Sequence, residues 1–340
     1  VTIDQVVAIY YKSPNSFTGE DVVEINCHGG IAVINKITKT LENIGVRLAE
    51  AGEFTKRALM NEKIDLVKTE SISDIINAET EKQREMALKN LCGGLSQFTK
   101  KIKDKIELNL ANLEALIDFS DEDLPKGILR NIKEQNKNLI KQIDSELKSA
   151  ELSKPIRDGI KVAIVGKPNT GKSSFINFIS KRDVSIVTDM PGTTTDSITS
   201  SIDIKGYKFT FVDTAGLRNH TSKIEELGIK KTKETIERSD LSLIFLEKNE
   251  KAKYKKIHNK LFVRSKCDIR KKIITKPKQH NISSITGWGV NLLLSDVYKK
   301  TIKKNKKEPV LSRERHIAIM EKILKILKNI DFNKSLDIVA

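Results

Sequence analysis

The sequence contains no apolar run long enough to cross a bilayer. Its longest apolar stretches, such as residues 241–246, are far shorter than the roughly 20 residues that a spanning helix requires. It also has no secretory signal peptide, although it begins at Val1 without a methionine and opens within a predicted strand over residues 5–11. We therefore expect a fragment of a longer cytoplasmic protein that does not enter a membrane.

Cysteine is scarce, and short internal repeats are not evident. The three cysteines are Cys27, Cys92 and Cys267. They stand far apart, and no two of them have the C-x-x-C spacing. This pattern argues against a zinc site and favours a reducing cytosol.

The sequence has a large excess of positive charge. Its 340 residues carry a formal net charge of +16, mostly from lysine. Such a charge can indicate a nucleic-acid partner, because lysines release counterions from phosphate groups. Runs such as KAKYKK (251–256) and KKNKK (303–307) are equally typical of solvated faces or linkers in a lysine-rich protein. Charge alone therefore leaves contact with RNA open.

The apolar pattern predicts an α+β region followed by helices that flank an α/β region. Residues 1–76 combine a helix near 31–41 with short strands at 6–11, 22–26 and 46–49. Apolar side chains step by three or four residues from 79 to 117, which predicts a long amphipathic helical segment. This pattern continues over 131–152 and returns at 316–330, and strands alternate with helices from 160 to about 298. The simplest interpretation is an α/β domain inserted into a helical one, although three successive domains would also fit.

The stretch VAIVGKPNTGKSSFINFI, residues 162–179, predicts a phosphate-binding loop. A short β-branched strand comes first, residues 166–173 fit G-x-x-x-x-G-K-[ST], and a helix follows. The glycines let backbone N–H groups close on phosphates, Lys172 brings a positive charge to the β and γ oxygens, and Ser173 offers a hydroxyl to Mg²⁺. A chance glycine turn is the alternative, but all three elements occur here in the required order.

Two later motifs complete a triphosphate site. Residues 213–216 (DTAG) follow a predicted strand, so Asp213 can hold Mg²⁺ through water and the amide of Gly216 can meet a γ-phosphate. Residues 192–194 (GTT) lie between the phosphate loop and this motif. A switch threonine is expected there to close on Mg²⁺.

Residues 265–268 (SKCD) favour guanine as the base. Asp268 can accept hydrogen bonds from guanine N1–H and from the exocyclic amine, and Lys266 can lie over the ring. The usual motif, N-K-x-D, begins with an asparagine that braces the loop and touches N7, and Ser265 stands in its place. Later, Ser283-Ser284-Ile285 stands where G proteins carry S-A-K. We predict GTP with weakened base selectivity, an ordinary polar loop being the alternative for 265–268 alone.

The usual water-orienting glutamine of GTP hydrolysis is missing. Leu217 follows the DTAG motif and can neither orient water nor neutralise charge. Glu225 and Glu226 are candidates for the first role, unless they are simply the solvated start of a helix. A cation could replace an arginine finger, with oxygen ligands from Asn169 and Thr188.

Stretches outside these motifs point to one family. They are NSFTGEDVVEINCHGG (15–30), GEFTKRALMNEKIDLVKTESISDII (52–76), residues 91–98 and ALIDFSDED (115–123). The chain resembles the MnmE/TrmE tRNA-modification GTPases from Tyr10 to Ala340. Generic translational or ribosome-assembly GTPases lack these stretches, so the resemblance is specific.

For the fold, the resemblance implies a multi-domain α/β protein. A P-loop GTPase domain with a mixed, mostly parallel sheet is expected at 158–302, inserted in an all-α helical domain at 63–157 and 303–340. An α+β domain at 1–62 is expected to bind tetrahydrofolate and to form the dimer. The family's first strand, which carries an arginine of the folate site, and its C-terminal Cys-Ile-Gly-Lys end are missing from this sequence.

For the site, the resemblance implies roles residue by residue. Catalysis is expected from Glu225, Lys172, Asp213 and Gly216. The expected ligands are Ser173 and Thr194 for Mg²⁺, Asn169, Thr188, Met190 and Thr193 for K⁺, and Glu24 and Lys63 for the folate. GTP is expected to contact Asn169, Thr170, Gly171, Lys172, Ser173, Ser174, Thr188, Asp189, Met190, Pro191, Gly192, Thr193, Thr194, Asp213, Thr214, Ala215, Gly216, Ser265, Lys266, Asp268, Ser283, Ser284 and Ile285.

For function, the resemblance implies a potassium-stimulated GTPase that is activated when its GTPase domains dimerise. The partners it implies are a second copy of the chain, tRNA, and an MnmG/GidA-type protein that uses FAD and NADH and forms a heterotetramer. Together they add an aminomethyl or carboxymethylaminomethyl group to C5 of the wobble uridine, with 5-formyl- or methylene-tetrahydrofolate as one-carbon donor.

Departures from the family pattern suggest one alternative function, a decayed scaffold, while the charge and the generic GTPase motifs keep a second open, a ribosome-assembly switch. Thr195 replaces the arginine of G-T-T-R-D, Ser265 replaces the asparagine of the guanine motif, and Ile285 replaces the last residue of S-A-K/R. These three replacements are expected to affect the rate of GTP turnover and the selectivity for guanine. The alternatives are an RNA-binding GTPase switch in ribosome assembly and a decayed folate-binding scaffold with weak GTPase activity.

Overall fold

The computed structural model describes residues 2–119, 127–181, 199–214, 232–247, 251–269, 279–302 and 309–332. Two compact units can be distinguished. The first unit comprises Val1–Asn77 and Ala87–Gln97, and the second comprises Ala78–Met86 and Phe98–Ala340. The four domain boundaries predicted from the sequence stay a prediction.

The described residues of the first unit up to Asn77 form a two-stranded antiparallel sheet and three helices. β1 (Val7–Tyr11) pairs with β2 (Val22–Asn26), and α1 (Ile31–Asn43), α2 (Glu53–Met60) and α3 (Leu66–Ile76) follow. The strand predicted at 46–49 is wrong, since these residues have no regular secondary structure. Among the described residues of this unit, β1 and β2 pair only with each other, so residues 46–49 have no strand to pair with.

The helical segment predicted from 79 to 117 is two helices, α4 (Glu81–Leu91) and α5 (Gly94–Asp118). The chain turns at Gly93, whose φ of 91° lies in the left-handed region. At Gly94, a Cβ would lie 2.8 Å from the backbone O of Lys89. Two adjacent glycines therefore end one helix and begin the next, although the apolar stripe continues across the break.

The second unit is built on one sheet. α6 (Ile128–Ala150) and α7 (Ser153–Arg157) precede it in the chain. Its strands are β3 (Ile160–Gly166), β4 (Thr199–Ile204), β5 (Tyr207–Asp213), β6 (Leu241–Phe245), β7 (Lys260–Arg264) and β8 (Gln279–Asn281), with α8 (Lys172–Ser180) after β3 and α9 (Val290–Thr301) after β8. The spatial order is β4-β5-β3-β6-β7-β8, in which only β4 and β5 are antiparallel to each other. The predicted fold class, multi-domain α/β with a mixed and mostly parallel sheet, is confirmed.

The middle of this sheet is apolar on both faces, as expected for parallel strands covered by helices. Every residue of β6 is buried, as are the apolar residues of β3 from Val162 to Val165. Phe175 of α8 is fully buried, with its ring centroid 5.9 Å from that of Phe211 and 5.6 Å from that of Phe245. This packing fixes α8 over the end of β3, where the phosphate loop lies.

The helices that come before and after the sheet region in the chain pack against each other. The side-chain amide of Asn136 in α6 donates to the backbone O of Leu327 in α10 (Glu314–Asn329), at 3.0 Å. The backbone N–H of Val310 donates to the buried carboxylate of Glu146, at 2.8 Å. The α/β region is therefore inserted between two segments of one helical layer, as predicted.

The chain enters and leaves the inserted region at neighbouring points. Arg157, at the end of α7, donates from Nη1 to the backbone O of Ser312, at 3.0 Å. Its own backbone O accepts a hydrogen bond of 3.0 Å from the side chain of Gln83 in α4. These contacts tie α4, α7 and the start of α10 together beside β3.

Within the described ranges, no helix combines the length and the apolar character needed to span a bilayer.

Candidate nucleotide-binding site

The phosphate loop, residues 166–173, connects β3 to α8 at the carboxyl end of the sheet. Its backbone turns through left-handed conformations at Asn169 (φ 60°) and Gly171 (φ 90°). Gly171 also stands directly before α8, whose first N–H groups have no acceptor within the helix. Such a helix start binds anions because these N–H groups and the helix dipole both favour negative charge.

Lys172 places a positive charge inside this loop. Its side chain is 4% exposed, and its Nζ donates to the backbone O of Lys167, at 2.7 Å. A phosphate oxygen would be a stronger acceptor for the same ammonium group, because the attraction between opposite charges adds to the hydrogen bond. The loop is therefore suited to an anionic ligand.

Ser173 and Asp213 bring two oxygen ligands together beside the loop. The Ser173 hydroxyl lies 3.4 Å from Oδ2 of Asp213, which is 1% exposed at the end of β5. The next residue, Thr214, donates from its hydroxyl to the backbone O of Ile164 in β3, at 2.8 Å. This bond fixes the end of β5 against the strand that carries the phosphate loop.

The oxygen pair fits Mg²⁺ that is bound together with a nucleotide. Mg²⁺ takes hard oxygen ligands and usually keeps several waters, with one or two protein ligands and substrate phosphates completing its shell. Among the described residues, no group of three or more His, Cys, Asp or Glu side chains could hold a metal ion by itself. Ser173 and Asp213 are therefore suited to a metal that arrives with phosphates.

The base loop, residues 265–268, packs directly on the phosphate loop. Ser265 is 3% exposed, and its hydroxyl donates to the backbone O of Thr170. Lys266, held at a left-handed φ of 60°, donates from Nζ to the backbone O of Asn169, at 2.8 Å. Asp268 is exposed at the end of the loop. The two predicted nucleotide-binding loops thus meet at the carboxyl end of the sheet.

The stretch Ser283-Ser284-Ile285 forms a turn beside the base loop. Ser283 is buried, and its hydroxyl accepts a hydrogen bond from the backbone N–H of Thr286, at 3.2 Å. Just before this turn, the backbone O of Ile282 accepts from Cys267 in the base loop, at 3.2 Å. Ile285 is 78% exposed. The structure therefore places this stretch beside the base loop, and its contact with GTP stays a prediction.

Part of the predicted site lies outside the described residues. This part comprises Thr188, Asp189, Met190, Pro191, Gly192, Thr193, Thr194, Ala215, Gly216 and Glu225, together with the variant position Thr195. The described members of the set are the phosphate loop with Ser174, the pair Asp213 and Thr214, the base loop and the 283–285 turn.

The predicted folate residues lie in the first unit but make separate contacts. Glu24 of β2 accepts a hydrogen bond from the Tyr11 hydroxyl, at 3.4 Å, while Lys63 donates from Nζ to the backbone O of Pro14, at 2.8 Å. Across the part of this unit that the structure describes, no hydrogen bond or ion pair joins Glu24 to Lys63. Their shared role stays a prediction.

A charged cleft in the first unit was missed by the sequence analysis. It encloses about 340 Å³ and is lined by Glu20, Arg47, Glu53 and Arg57 among others. Glu53 pairs with Arg47 at 2.6 Å and with Arg57 at 2.8 Å. Hydrogen bonds from Arg47, from the backbone N–H of Glu50 and from Arg57 hold the pKa of Glu53 well below its usual range. The four-residue spacing of Glu53 and Arg57 was the available signal.

A strand, a phosphate loop and a helix, with an acidic strand end and a base loop packed against them, define a P-loop nucleotide-binding protein. Residues 66–340 match the family described as MnmE helical domain, and residues 1–63 match the GTP-binding protein TrmE N-terminus. The chain belongs to the MnmE/TrmE family, and the resemblance predicted from the sequence is confirmed.

Named relatives agree with this assignment. The tRNA modification GTPase MnmE of Clostridioides difficile is 39% identical over 95% of this chain and 74% of its own length. The protein of that name from Thermoanaerobacter pseudethanolicus is 41% identical over 87% of this chain and 65% of its own length. This chain thus spans between two thirds and three quarters, approximately, of these relatives.

Among solved structures, the G domain of the T. maritima FeoB iron transporter is 21% identical, with a TM-score of 0.33. That match covers 42% of this chain and 99% of the other. At these values it adds nothing to the assignment.

Proposed function

We propose that this chain binds and hydrolyses GTP in the service of tRNA modification, the activity that its relatives' names state for them. The observation that carries the proposal is the hydrogen-bonded contact of the base loop with the phosphate loop. Ser265 and Lys266 each donate to the phosphate loop, next to the buried ammonium group of Lys172. One nucleotide would therefore contact both loops at once.

The residues of the chain have distinct tasks in this proposal. Lys172 gives up the carbonyl of Lys167 and donates to the β and γ phosphate oxygens, alongside the N–H groups at the start of α8. Asp268 accepts from N1–H and the exocyclic amine of guanine. Mg²⁺, held by Ser173 and through water by Asp213, supplies charge neutralisation on the phosphates.

The finer catalytic roles rest on the family resemblance. Glu225 orients the attacking water, and Thr194 adds a hydroxyl to the Mg²⁺ ligands. When two GTPase domains pair, a bound potassium ion would supply the positive charge that an arginine finger otherwise supplies. Its ligands are Asn169, Thr188, Met190 and Thr193, of which Asn169 lies in the described part of the phosphate loop.

The first unit forms the homodimer and binds the folate in this proposal. Tyr10 of β1 stands opposite Val23 of β2, and Ala8 stands opposite Ile25, so these four side chains share one face of the sheet. Tyr10 is 60% exposed, Val23 61% and Ile25 39%. Contiguous exposed apolar patches mark interaction surfaces, which supports a dimer contact in this unit. Glu24 and Lys63 are the proposed folate contacts.

The remaining partners are a tRNA and an MnmG/GidA-type protein that uses FAD and NADH. With them the chain adds the aminomethyl or carboxymethylaminomethyl group to C5 of the wobble uridine, in the cytoplasm. The formal charge of +16 is compatible with a polyanionic partner. The family assignment favours this function over a ribosome-assembly switch.

The test is nucleotide turnover by this chain with GTP, ATP and XTP, each in potassium and in sodium. We expect turnover that is selective for GTP and faster in potassium. Binding without turnover would favour the decayed scaffold. Co-sedimentation with ribosomal subunits only in the GTP state would favour the assembly switch, and normally modified wobble uridines in cells without the protein would contradict the tRNA function.

A matched pair of variants tests the catalytic glutamate. Glu225→Ala should slow hydrolysis with little change in GTP affinity, since water positioning matters only in the transition state. Glu226→Ala changes the neighbouring carboxylate and should leave turnover near that of the parent. Turnover of Glu225→Ala equal to that of the parent would remove Glu225 from the mechanism.

A further inference from the structure

Two side chains of the base loop donate hydrogen bonds to the phosphate loop. The Ser265 hydroxyl donates to the backbone O of Thr170, and the Lys266 ammonium donates to the backbone O of Asn169, at 2.8 Å. A serine hydroxyl has a single proton to donate. Ser265 therefore has no second donor to offer a bound base.

The surroundings of Ser265 keep its hydroxyl in this orientation. Ser265 is 3% exposed and Thr170 is 6% exposed, so the bond between them lies away from water. A Cβ on Gly171 would overlap the Ser265 hydroxyl oxygen, which shows how closely the two loops approach. Turning the hydroxyl toward a ligand would leave the Thr170 carbonyl without this donor in a buried place, which is unfavourable.

Guanine presents different groups on its two sides. N7 and O6 are acceptors, so a protein contact with N7 requires a donor. An asparagine side chain carries two N–H donors and can bond to the phosphate loop and to N7 together. A serine can do only the first of these.

We propose that Ser265 is a positioning residue that braces the phosphate loop and leaves guanine N7 without a contact. Base selection then falls to Asp268, which accepts from the donor side of guanine. This inference rests on the proposed function, because it takes a guanine nucleotide as the ligand. It assigns Ser265 to phosphate-loop geometry instead of base recognition.

The experiment compares GTP with 7-deaza-GTP, in which a C–H group replaces N7, by isothermal titration calorimetry on the full chain. The two dissociation constants should agree within about two-fold, because no hydrogen bond is lost, whereas loss of a bond to N7 would weaken binding by about five-fold. ATP, measured in parallel, should bind far more weakly than either.

Two variants separate bracing from base contact. Ser265→Ala removes the brace and should weaken GTP and 7-deaza-GTP by the same factor, about five-fold. Ser265→Asn supplies a second donor and should create a preference for GTP over 7-deaza-GTP of about five-fold. A substitution that affected only the brace would change the affinities for both nucleotides by the same factor and would leave the analogue preference unchanged.

The binding experiments distinguish failure of the inference about Ser265 from failure of the proposed function. A parent chain that prefers GTP to 7-deaza-GTP by about five-fold or more would overturn the inference, and this comparison does not depend on the folding of any variant. Weakening of GTP alone in Ser265→Ala would overturn it as well. If the chain binds no GTP, or binds ATP equally well, the proposed function fails and the inference falls with it.

Discussion

Removing the ammonium group of Lys172 should abolish measurable nucleotide binding. Lys172 is 4% exposed at the first position of α8, where its Nζ can reach an acceptor inside the phosphate loop. A hydrogen bond to a charged group contributes about 1.5–3 kcal/mol. Two such bonds, to the β and γ oxygens, amount to about 3–6 kcal/mol, which is a loss of roughly two to four orders of magnitude in affinity.

The assay is calorimetric titration of Lys172→Ala with GTP in the presence of Mg²⁺. Lys181→Ala is the matched control, because Lys181 is an exposed lysine at the opposite end of α8 and should not affect binding. Thermal unfolding of both variants checks the fold, since losing the charged hydrogen bond to the Lys167 carbonyl should cost about 1.5–3 kcal/mol of stability.

Two results would refute this reasoning. One is an affinity of Lys172→Ala within about ten-fold of the parent, which corresponds to about 1.4 kcal/mol and is less than a single charged hydrogen bond of average strength. The other is an equal loss in Lys181→Ala, which would trace the effect to overall charge instead of the loop.

Three further predictions address the metal, the core and the first unit. Ser173→Ala should remove most of the Mg²⁺ dependence of GTP affinity, measured as the ratio of dissociation constants with Mg²⁺ and with EDTA; an unchanged ratio would exclude Ser173 as a ligand. Phe175→Ala should lower the free energy of unfolding by about 3–5 kcal/mol in urea titrations, because it empties a fully buried aromatic site; a change below about 1 kcal/mol would contradict the packing described. Hydrogen bonds from Arg47, from the backbone N–H of Glu50 and from Arg57 hold the pKa of Glu53 low. The ionised carboxylate therefore stabilises the first unit at pH values above the usual titration range of a glutamate. This stabilisation is lost as the pH falls toward the lowered pKa. Glu53→Gln should therefore be less stable than the parent at neutral pH and converge with it in acid, and parallel stability profiles would count against the pairing.

The parts of the fold that depend on residues close together in the sequence could be predicted from it. The strand, loop and helix from 162 to 179 were predicted because motif, strand and helix signals are all contained in one short stretch. The break at Gly93 was missed because the apolar stripe continues through it. The strand predicted at 46–49 failed because a strand requires a pairing partner, which local sequence does not reveal.

The contacts between the two loops could not be predicted in the same way. Ser265 and Thr170 are 95 positions apart in the chain, and no local pattern states which carbonyl receives the serine hydroxyl. The sequence showed that a serine replaces the usual asparagine and suggested weaker base selectivity. Only the three-dimensional arrangement separates the bracing role, which Ser265 keeps, from the N7 contact.

The insertion also determines the order in which the chain can be completed during synthesis. The bond between Asn136 and Leu327 joins residues 191 positions apart, so α6 leaves the ribosome long before its partner helix exists. An unfolded connection of that length would carry a loop-closure cost that rises with the logarithm of its length. Once the inserted sheet has folded, Arg157 and Ser312 lie within hydrogen-bond distance, and the sheet domain itself brings the two helices into reach. A folded α/β domain thus shortens the connection across which α6 and α10 must meet, and the face of α6 that α10 covers lacks this partner until α10 has been synthesised.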